Sequence, residues 1–237
     1  MRIGVFDSGI GGLTVLKTLI KKYPNNEYIY YGDTKNLPYG NKSIEELKEL
    51  SSNIIEFLLK KEVDIIVIAC GTISSNLSSY LREKYNIQII DIISPVINFL
   101  NNSNYKNIGV IATQATVNSK IFSKNVKKNI KEVACPMFVP IIENNQKEEL
   151  NIYFKKYLDD LKYCDLIVLG CTHFPLIKEE LSKYLNIKLL DMSECIDNMN
   201  NEGESKVELY FSKLDDNIIN NVKNILNAND YLIKNFY

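Results

Sequence analysis

The chain has 237 residues, of which 46% are hydrophobic and 24% charged, a composition typical of a globular protein with a sizeable core. Its formal net charge is −1 and its basic residues are spread along the chain, which argues against a nucleic-acid-binding surface. No apolar run approaches the roughly 20 residues that cross a bilayer, and no signal-peptide pattern follows Met1. Five cysteines without regular spacing favour reduced thiols. We therefore expect a cytoplasmic protein without membrane association.

Short apolar strands alternate with helices along the first part of the chain. Strands are predicted at residues 2–7, 28–31, 65–69 and 88–91. Helices are predicted at residues 13–20, from Ser43 onward and at 73–84. Ser43 and Glu46 form a capping-box pattern at the start of the second helix, and the turn-rich segment GDTKNLPYGNKS predicts a loop before it. This order is typical of βαβ units with a parallel sheet.

The same order restarts at IGVIA, which repeats the IGVFD of the N-terminal strand. Strands are then predicted at residues 108–112, 137–142, 166–169 and 187–191. The strand at 137–142 is expected to end in Glu143 and a polar loop, in the place that the Tyr39 loop takes in the first half. A polar connection at 197–206 leads to a last strand at 207–211 and a closing helix, which could belong to either half. The repeat predicts a duplicated α/β architecture.

Two of the predicted strands end in cysteine. The run IIVIACGT contains Cys70, and the run LIVLGCTH contains Cys171 about a hundred residues later. When the cysteines are aligned, Thr72 matches Thr172. Ligands of open α/β sheets collect outside the carboxyl ends of the strands, so both thiols are expected at a binding site.

The surroundings of these two cysteines differ from those of the other three. A helix N-terminus lowers the pKa of a thiol from about 8.5 towards neutrality, which is the expectation for Cys70 and Cys171. His173, the only histidine of the chain, could help Cys171 if it is charged. Most buried cysteines are inert, and this structural interpretation is given to the remaining ones, Cys135, Cys164 and Cys195.

Three kinds of cysteine chemistry compete at this point. The spacing of Cys164, Cys171 and His173 matches no usual zinc site, so no metal is expected. A cysteine hydrolase could use Cys171 and His173, but it leaves Cys70 without a role. Inversion of a carbon centre explains both thiols, because one group must remove a proton from one face while another delivers a proton to the opposite face.

Other polar residues near the strand ends could support such a site. Asp7 and Glu143 could adjust the protonation of the thiols, although solvated strand-end carboxylates are the alternative. The segment DSGIGG lacks the last glycine of a dinucleotide fingerprint and the GK[ST] of a P-loop. Its backbone N–H groups and Ser8 could still hold an anion such as a carboxylate. Tyr39 and Gly40 could close over a ligand.

Taken together, these segments resemble the glutamate racemases of the aspartate/glutamate racemase superfamily. The matching stretches are VFDSGIGGLTVL (5–16), YYGDTKNLPYG (30–40), IACGT (68–72), VPIIE (139–143) and GCTHFPLI (170–177). The resemblance implies two similar α/β domains, each a mainly parallel sheet flanked by helices, related by pseudo-two-fold symmetry with the active site between them. It places residues 1–93 and 207–237 in the first domain and residues 94–206 in the second.

The resemblance also implies an activity. Members of the family are amino-acid racemases (isomerases) that interconvert L- and D-glutamate without PLP or any other cofactor, supply D-glutamate for peptidoglycan and the cell wall, and are commonly homodimers. It implies that Cys70 and Cys171 are the two proton donors and acceptors, with Cys70 acting on the D form. Asp7, Glu143 and His173 match the positions that support proton transfer. The implied substrate-binding residues are Asp7, Ser8, Tyr39, Gly40, Gly71, Thr72, Thr116, Thr172 and His173.

The sequence departs from the family pattern at two positions. Gly71 stands where the family usually has Asn, and Ala115 stands where it usually has Gly. Loss of a hydrogen bond to a charged ligand group costs about 1.5–3 kcal/mol, unless a water or a neighbouring side chain fills the space beside Gly71. Three alternatives therefore stay open: a racemase of aspartate or another amino acid, a ligand-binding or regulatory relative, and an enzyme that uses one nucleophilic cysteine on a diacid.

Overall fold

The computed structural model describes residues 1–227 and 231–235. Its strands are β1 (Arg2–Asp7), β2 (Glu27–Gly32), β3 (Ile65–Ile68), β4 (Gln88–Asp91), β5 (Asn107–Ala112), β6 (Asn129–Ala134), β7 (Leu166–Leu169), β8 (Lys188–Asp191), β9 (Lys206–Phe211) and β10 (Leu232–Asn235). Its α-helices are α1 (Gly12–Lys22), α2 (Ile44–Lys60), α3 (Gly71–Lys84), α4 (Ile93–Asn102), α5 (Gln114–Ser119), α6 (Ile121–Asn125), α7 (Phe138–Glu143), α8 (Leu150–Leu158), α9 (Lys178–Leu185) and α10 (Asp216–Leu226).

These strands form two parallel sheets. The first has the order β10-β9-β2-β1-β3-β4, and the second has the order β6-β5-β7-β8. Every strand pair in both sheets is parallel. The predicted α/β class with two parallel sheets is therefore confirmed. Because β9 pairs with β2, the C-terminal strands return to the first sheet. This return supports the division into domains 1–93 with 207–237 and 94–206, which stays a prediction.

The central strands are buried because helices cover both faces of each sheet. All four residues of β3, IIVI, and all four of β7, LIVL, are buried. Continuous apolar runs of this kind are what a strand covered on both faces requires. The capping box predicted for α2 is present, with Ser43 Oγ accepting from the Glu46 N–H and the Glu46 carboxylate accepting from the Ser43 N–H. No helix in the described ranges is long and apolar enough to cross a membrane.

Buried apolar side chains form one core that both halves share and one further core in each half. The shared core contains Val67 of β3 and Val168 of β7 together with residues of α1, α4 and α10. The second core belongs to the first half and contains Cys70 and Tyr39. The third belongs to the second half and contains Cys171 and Cys135. The shared core holds the two sheets against each other, so residues at their carboxyl ends can face a common space.

One predicted element of the second half is wrong. Residues predicted as a strand at 137–142 form the helix α7, whose buried residues Phe138, Ile141 and Ile142 have the spacing of one helical face. The strand that precedes this helix is β6, NIKEVA, an edge strand whose residues are exposed or half-buried, so it lacks an apolar run. Glu143 therefore ends a helix and not a strand.

Candidate active site

A cavity lies where the carboxyl ends of several strands from both sheets meet. Its volume is about 80 Å³. Nine of the predicted site residues line it: Ser8, Tyr39, Gly40, Cys70, Gly71, Thr72, Cys171, Thr172 and His173. The other three, Asp7, Glu143 and Thr116, lie behind this lining, and each is hydrogen-bonded to a residue that does line the cavity. The structure thus brings the twelve predicted residues together.

Cys70 is the N-cap of α3 and is only 3% exposed. Burial, followed by the negative charge of Asp7, raises the pKa of this thiol to about 12. Hydrogen bonds from the Ile73 N–H and the Ser8 hydroxyl oppose the rise without cancelling it. The expectation that the helix N-terminus lowers this pKa is therefore wrong for Cys70, because loss of hydration outweighs these two hydrogen bonds. The Cys70 sulfur is a protonated thiol near neutral pH.

Cys171 has a different set of neighbours, which form a chain of polar contacts. Its Sγ lies 3.8 Å from Nδ1 of His173, and Nε2 of the same ring lies 2.6 Å from Oε1 of Glu143. Burial alone would lower the pKa of His173, but its hydrogen bonds to Cys171 and Glu143 outweigh burial and raise this pKa well above the usual 6.5. A protonated His173 places positive charge directly beside the sulfur of Cys171.

Asp7 connects the two halves of the molecule below the cavity. The residue is fully buried, so the alternative of a solvated strand-end carboxylate is wrong. Its Oδ2 accepts hydrogen bonds from the N–H groups of Gly9 at 3.2 Å and Gly12 at 2.8 Å, which fixes the DSGIGG turn. Its Oδ1 accepts from the Thr172 hydroxyl at 3.4 Å. Thr14 of α1 adds a second connection, because its hydroxyl donates to the Thr172 carbonyl at 3.0 Å.

Three threonine hydroxyls form a ladder along the opposite side of the cavity. Thr72 Oγ1 lies 3.1 Å from Thr113 Oγ1, which lies 3.1 Å from Thr116 Oγ1. Thr113 is also the N-cap of α5, since its side chain accepts from the Thr116 N–H. Thr113 lines the cavity, whereas Thr116 is fully buried behind it. Thr116 therefore orients Thr113, and Thr113 in turn contacts Thr72 across the two halves.

The buried carboxylate of Asp33, which the sequence interpretation did not include, holds the loop that carries Tyr39. Tyr39 donates its hydroxyl to Asp33 at 2.5 Å, and burial followed by the Asp33 charge raises the pKa of this phenol. The other oxygen of Asp33 accepts from the Ser212 hydroxyl at 2.6 Å, and Asn36 donates to both oxygens. Ser212 directly follows β9, so the returning C-terminal segment helps to fix this loop.

Several cavity residues were missed by the sequence interpretation. The lining also includes Leu37, Pro38, Asn41, Thr113, Gln114, Cys135, Pro136, Val139 and Pro140. Cys135 was expected to be a structural cysteine, and burial does raise its pKa. It lines the cavity because it directly follows β6, so recognising that strand would have placed it at a strand end. Asp33, which directly follows β2, would have been found in the same way.

The position beside Gly71 also differs from the expectation. A Cβ at this position would lie 2.8 Å from the Gly170 carbonyl oxygen, so little space is open beside Gly71 on that side. Among the described residues, no group of three or more histidine, cysteine or acidic side chains could hold a metal ion. The arrangement is therefore two buried thiols on facing halves, one of them next to an imidazole and a carboxylate. Such a site can move protons on two faces of a small polar molecule.

Comparisons with known proteins show the family to which the chain belongs. Residues 11–196 match the Asp/Glu/Hydantoin racemase family. A glutamate racemase from a Hydrogenobaculum species is 39% identical over 233 residues, which cover 92% of this chain and 90% of the relative. A glutamate racemase from Fusobacterium nucleatum is 44% identical over 204 residues, which cover 80% of this chain and 76% of the relative.

A solved structure extends the agreement to the whole fold. Glutamate racemase from Francisella tularensis, crystallised in complex with D-glutamate, superposes with a TM-score of 0.86 and 30% identity. The match covers 100% of this chain and 97% of that chain. The resemblance drawn from the sequence motifs is thereby confirmed, and the chain belongs to the Asp/Glu/hydantoin racemase family.

Proposed function

We propose that the protein is a glutamate racemase that interconverts L- and D-glutamate by moving protons between Cα and two cysteines, without a cofactor. The observation that carries the proposal is that Cys70 and Cys171, from equivalent strand ends of the two halves, line one cavity. The choice of glutamate is supported by relatives at 39% and 44% identity that are glutamate racemases. A racemase of this kind needs one basic and one acidic group, so the protonation of the two sulfurs decides the mechanism.

The neighbours of the two sulfurs support different roles. The raised pKa of Cys70 keeps that sulfur protonated and ready to deliver a proton. Cys171 then removes the proton from Cα, with Nδ1 of His173 3.8 Å from its sulfur. As Cα accepts a proton from Cys70 on the opposite face, the configuration inverts, Cys171 holds the removed proton and Cys70 is left as a thiolate.

The reverse reaction exchanges these roles. With Cys70 acting on the D form, as the family resemblance implies, Cys171 acts on the L form. The protonated thiol of Cys70 then suits conversion of L- to D-glutamate, in which Cys70 is the proton donor. Glu143 and Asp7 act through their hydrogen-bonded neighbours: Glu143 holds the His173 ring, and Asp7 holds both the DSGIGG turn and Thr172.

The remaining residues of the cavity are suited to holding an amino-acid dicarboxylate. The N-terminus of α3 and the hydroxyls of Ser8 and Thr72 offer hydrogen-bond donors to a carboxylate. Tyr39 and Gly40 cover the cavity from the loop that Asp33 anchors. Thr172 faces the cavity from the second half, and Thr116 contributes through Thr113. With these side chains assigned to holding the substrate, the two thiols are the groups suited to take up the Cα proton.

Exchange of the Cα proton in D2O tests the proposal. Incubation of the protein with L- or D-glutamate should introduce deuterium at Cα, as seen by NMR, while the circular dichroism of the amino acid decays to zero. Incubation with L- and D-aspartate measures specificity as the ratio of kcat/KM values. Absence of both exchange and inversion with either enantiomer of glutamate would rule the assignment out. Faster turnover of aspartate would move the assignment to an aspartate racemase.

The cellular setting belongs to the same proposal. A glutamate racemase in the cytoplasm would supply D-glutamate for peptidoglycan, and the family resemblance adds a homodimer. Expression in bacteria that depend on added D-glutamate for growth tests the first point, since the active protein should remove that dependence. Sedimentation analysis of the purified protein tests the second. A monomer that racemises glutamate at full rate would refute the homodimer and leave the activity standing.

A further inference from the structure

The hydroxyl of Tyr30 lies behind the DSGIGG turn and does not belong to the lining of the cavity. Tyr30 is part of β2, its side chain is fully buried, and its hydroxyl donates to the Gly9 carbonyl at 2.5 Å. Burial, followed by the negative charge of Asp7, raises the pKa of this phenol, so the hydroxyl keeps its proton and remains a donor. The proposed proton transfers do not use this buried hydroxyl.

Two glycines leave room for this hydrogen bond. A Cβ on Gly12 would lie 2.8 Å from the Tyr30 hydroxyl oxygen, so a side chain there would press on the phenol. Gly32 follows Tyr30 by two residues on the same face of β2, and its Cβ would lie 2.8 Å from the Gly9 carbonyl oxygen. The Gly9 carbonyl is therefore seated directly over the end of β2, with the phenol as its donor.

The DSGIGG turn has room to move at one end only. A Cβ on Gly11 would lie 2.4 Å from Nδ1 of His173 and 2.6 Å from Oγ1 of Thr172, so this end is packed against the second half without spare volume. At the other end, Ser8 lines the cavity, and its hydroxyl hydrogen-bonds to the Cys70 thiol. Tightly packed interiors transmit a displacement instead of absorbing it, so a shift of the turn is expected at Ser8.

From these contacts we infer that Tyr30 is a positioning residue whose hydroxyl fixes the DSGIGG turn and thereby places Ser8 against Cys70 and the substrate. The inference rests on the proposed racemase function and adds a determinant of its substrate binding and rate. Asp7 accepts from the Gly9 N–H and Tyr30 donates to the Gly9 carbonyl, so both backbone groups of Gly9 are held. Without the phenol, the carbonyl is free to turn, because glycine adopts many backbone conformations, and the adjacent Ser8 moves with it.

The variant Tyr30→Phe tests the inference, since it removes the hydroxyl and keeps the ring. We expect kcat/KM for racemisation to fall roughly ten-fold, because displacement of a group in the site by a fraction of an ångström has effects of this order. The fall should be equal for L- and D-glutamate, since the two enantiomers have the same free energy and the ratio of their kcat/KM values is therefore fixed. Circular dichroism of the amino acid measures both rates.

Tyr28→Phe is the matched control. Tyr28 lies two residues before Tyr30 on the same face of β2, is 1% exposed, and donates its hydroxyl to the carbonyls of Leu19 and Tyr23 at the end of α1. Both variants lose a buried hydroxyl and should lower the unfolding temperature. Tyr28→Phe should nevertheless keep kcat/KM within about two-fold of wild type. An equal loss of kcat/KM in the two variants would show an effect of stability alone and would overturn the inference.

A double-mutant cycle with Ser8→Ala tests the route of the effect. If Tyr30 acts by placing Ser8, Tyr30→Phe should reduce kcat/KM by a factor roughly three-fold or more smaller in Ser8→Ala protein than in wild-type protein. A merely structural role of Tyr30 would give the same factor in both proteins, because the two substitutions would then act independently. Equal factors would therefore contradict the inference.

Calorimetric titration with DL-glutamate gives a readout that needs no turnover, because a racemic ligand is already at equilibrium. Kd should rise several-fold in Tyr30→Phe and stay within about two-fold of wild type in Tyr28→Phe. If the wild type binds glutamate but does not racemise it, the proposed function fails and the comparison of Kd values still decides the inference. If Tyr30→Phe keeps both Kd and kcat/KM within about two-fold of wild type, the inference is overturned and the racemase function stands. Absence of binding to the wild type would refute both.

Discussion

The two walls of the cavity present the same functional group in different electrostatic surroundings. On the wall of the first half, burial, followed by the negative charge of Asp7, raises the pKa of Cys70 to about 12. On the wall of the second half, Cys171 lies next to His173, whose pKa is raised by contacts with Cys171 and Glu143 after burial is overcome. In the proposed mechanism, the acid and the base of this site therefore differ in their neighbours and not in their functional group.

Loss of either thiol should have the largest effect. In Cys70→Ser or Cys171→Ser, the hydroxyl cannot replace the thiol as an acid and base near neutral pH, so inversion should fall on the order of 1,000-fold or more. Cα exchange in D2O should fall unequally in each mutant, depending on which enantiomer is supplied. NMR of both enantiomers measures this difference. Equal and small losses in the two mutants would disprove the two-base mechanism.

Removal of the His173 imidazole should reduce the electrostatic difference between the surroundings of Cys70 and Cys171. In His173→Asn, kcat should fall roughly 10- to 100-fold, because Cys171 loses its neighbouring positive charge. Steady-state kinetics with L- and D-glutamate measure the effect, and Glu143→Gln should show a smaller loss in the same direction. An undiminished kcat in His173→Asn would show that the Cys171 sulfur does not depend on this ring.

The same variant has a pH-dependent consequence for stability. Because the folded-state pKa of His173 lies above its unfolded value, protonation of the ring stabilises the folded protein fully below about pH 6.5 and the contribution is lost as pH rises through the folded pKa. The difference in free energy of unfolding between wild type and His173→Asn should thus be larger at about pH 6 than at about pH 9. Urea denaturation at both pH values measures it. A difference that grows with pH would contradict the raised pKa.

Alkylation should distinguish the two sulfurs directly. Both are almost fully buried, at 3% exposure for Cys70 and 5% for Cys171, so access alone does not separate them. The thiolate is the reactive form, and the raised pKa of Cys70 leaves little thiolate there near neutral pH, so iodoacetamide should modify Cys171 roughly ten-fold faster than Cys70. Peptide mass spectrometry over a time course gives the two rates. Faster modification of Cys70 would reverse the assignment of starting states.

The smallest effect is expected for the loop that covers the first wall. Tyr39→Phe removes the hydrogen bond to the buried carboxylate of Asp33, a bond to a charged group that contributes about 1.5–3 kcal/mol. KM for glutamate should rise several-fold with little change in kcat, because the loop holds the substrate and does not move protons. Kinetics with Ser212→Ala, which removes another donor to Asp33, provide a comparison outside the cavity. A large fall in kcat would give Tyr39 a direct role in catalysis.

Patterns in the sequence predicted those strands and helices whose signals lie within a few neighbouring residues. The strands that end at Cys70 and Cys171 are uninterrupted apolar runs, and the capping box at Ser43 is formed by neighbouring residues. The edge strand β6 is not predicted because its half-buried residues need not be apolar, and the strand predicted at 137–142 is wrong because the buried residues there have helical spacing. Knowledge of the family motifs extended the site prediction to residues such as Thr116, which periodicity could not have selected.

Contacts between distant parts of the chain were not predictable in this way. Asp33 and Ser212 are 179 residues apart, and neither belongs to a pattern that indicates the other. The raised pKa of Cys70 depends on how much water the fold excludes, which the local sequence does not encode. The contact of Gly71 with Gly170 likewise exists only once the two halves are packed together.

The hydrogen bond from Ser212 to Asp33 affects when the Tyr39 loop reaches its final structure during synthesis of the chain. Both cysteines and the whole Tyr39 loop are translated before residue 206, yet β9 and Ser212 come after them. While β9 and Ser212 are still inside the ribosome, β2 lies at an open edge of the first sheet. Asp33 then also lacks the Ser212 hydroxyl as a hydrogen-bond donor. The pocket loop therefore reaches its final hydrogen bonding only after residues 206–212 have left the ribosome.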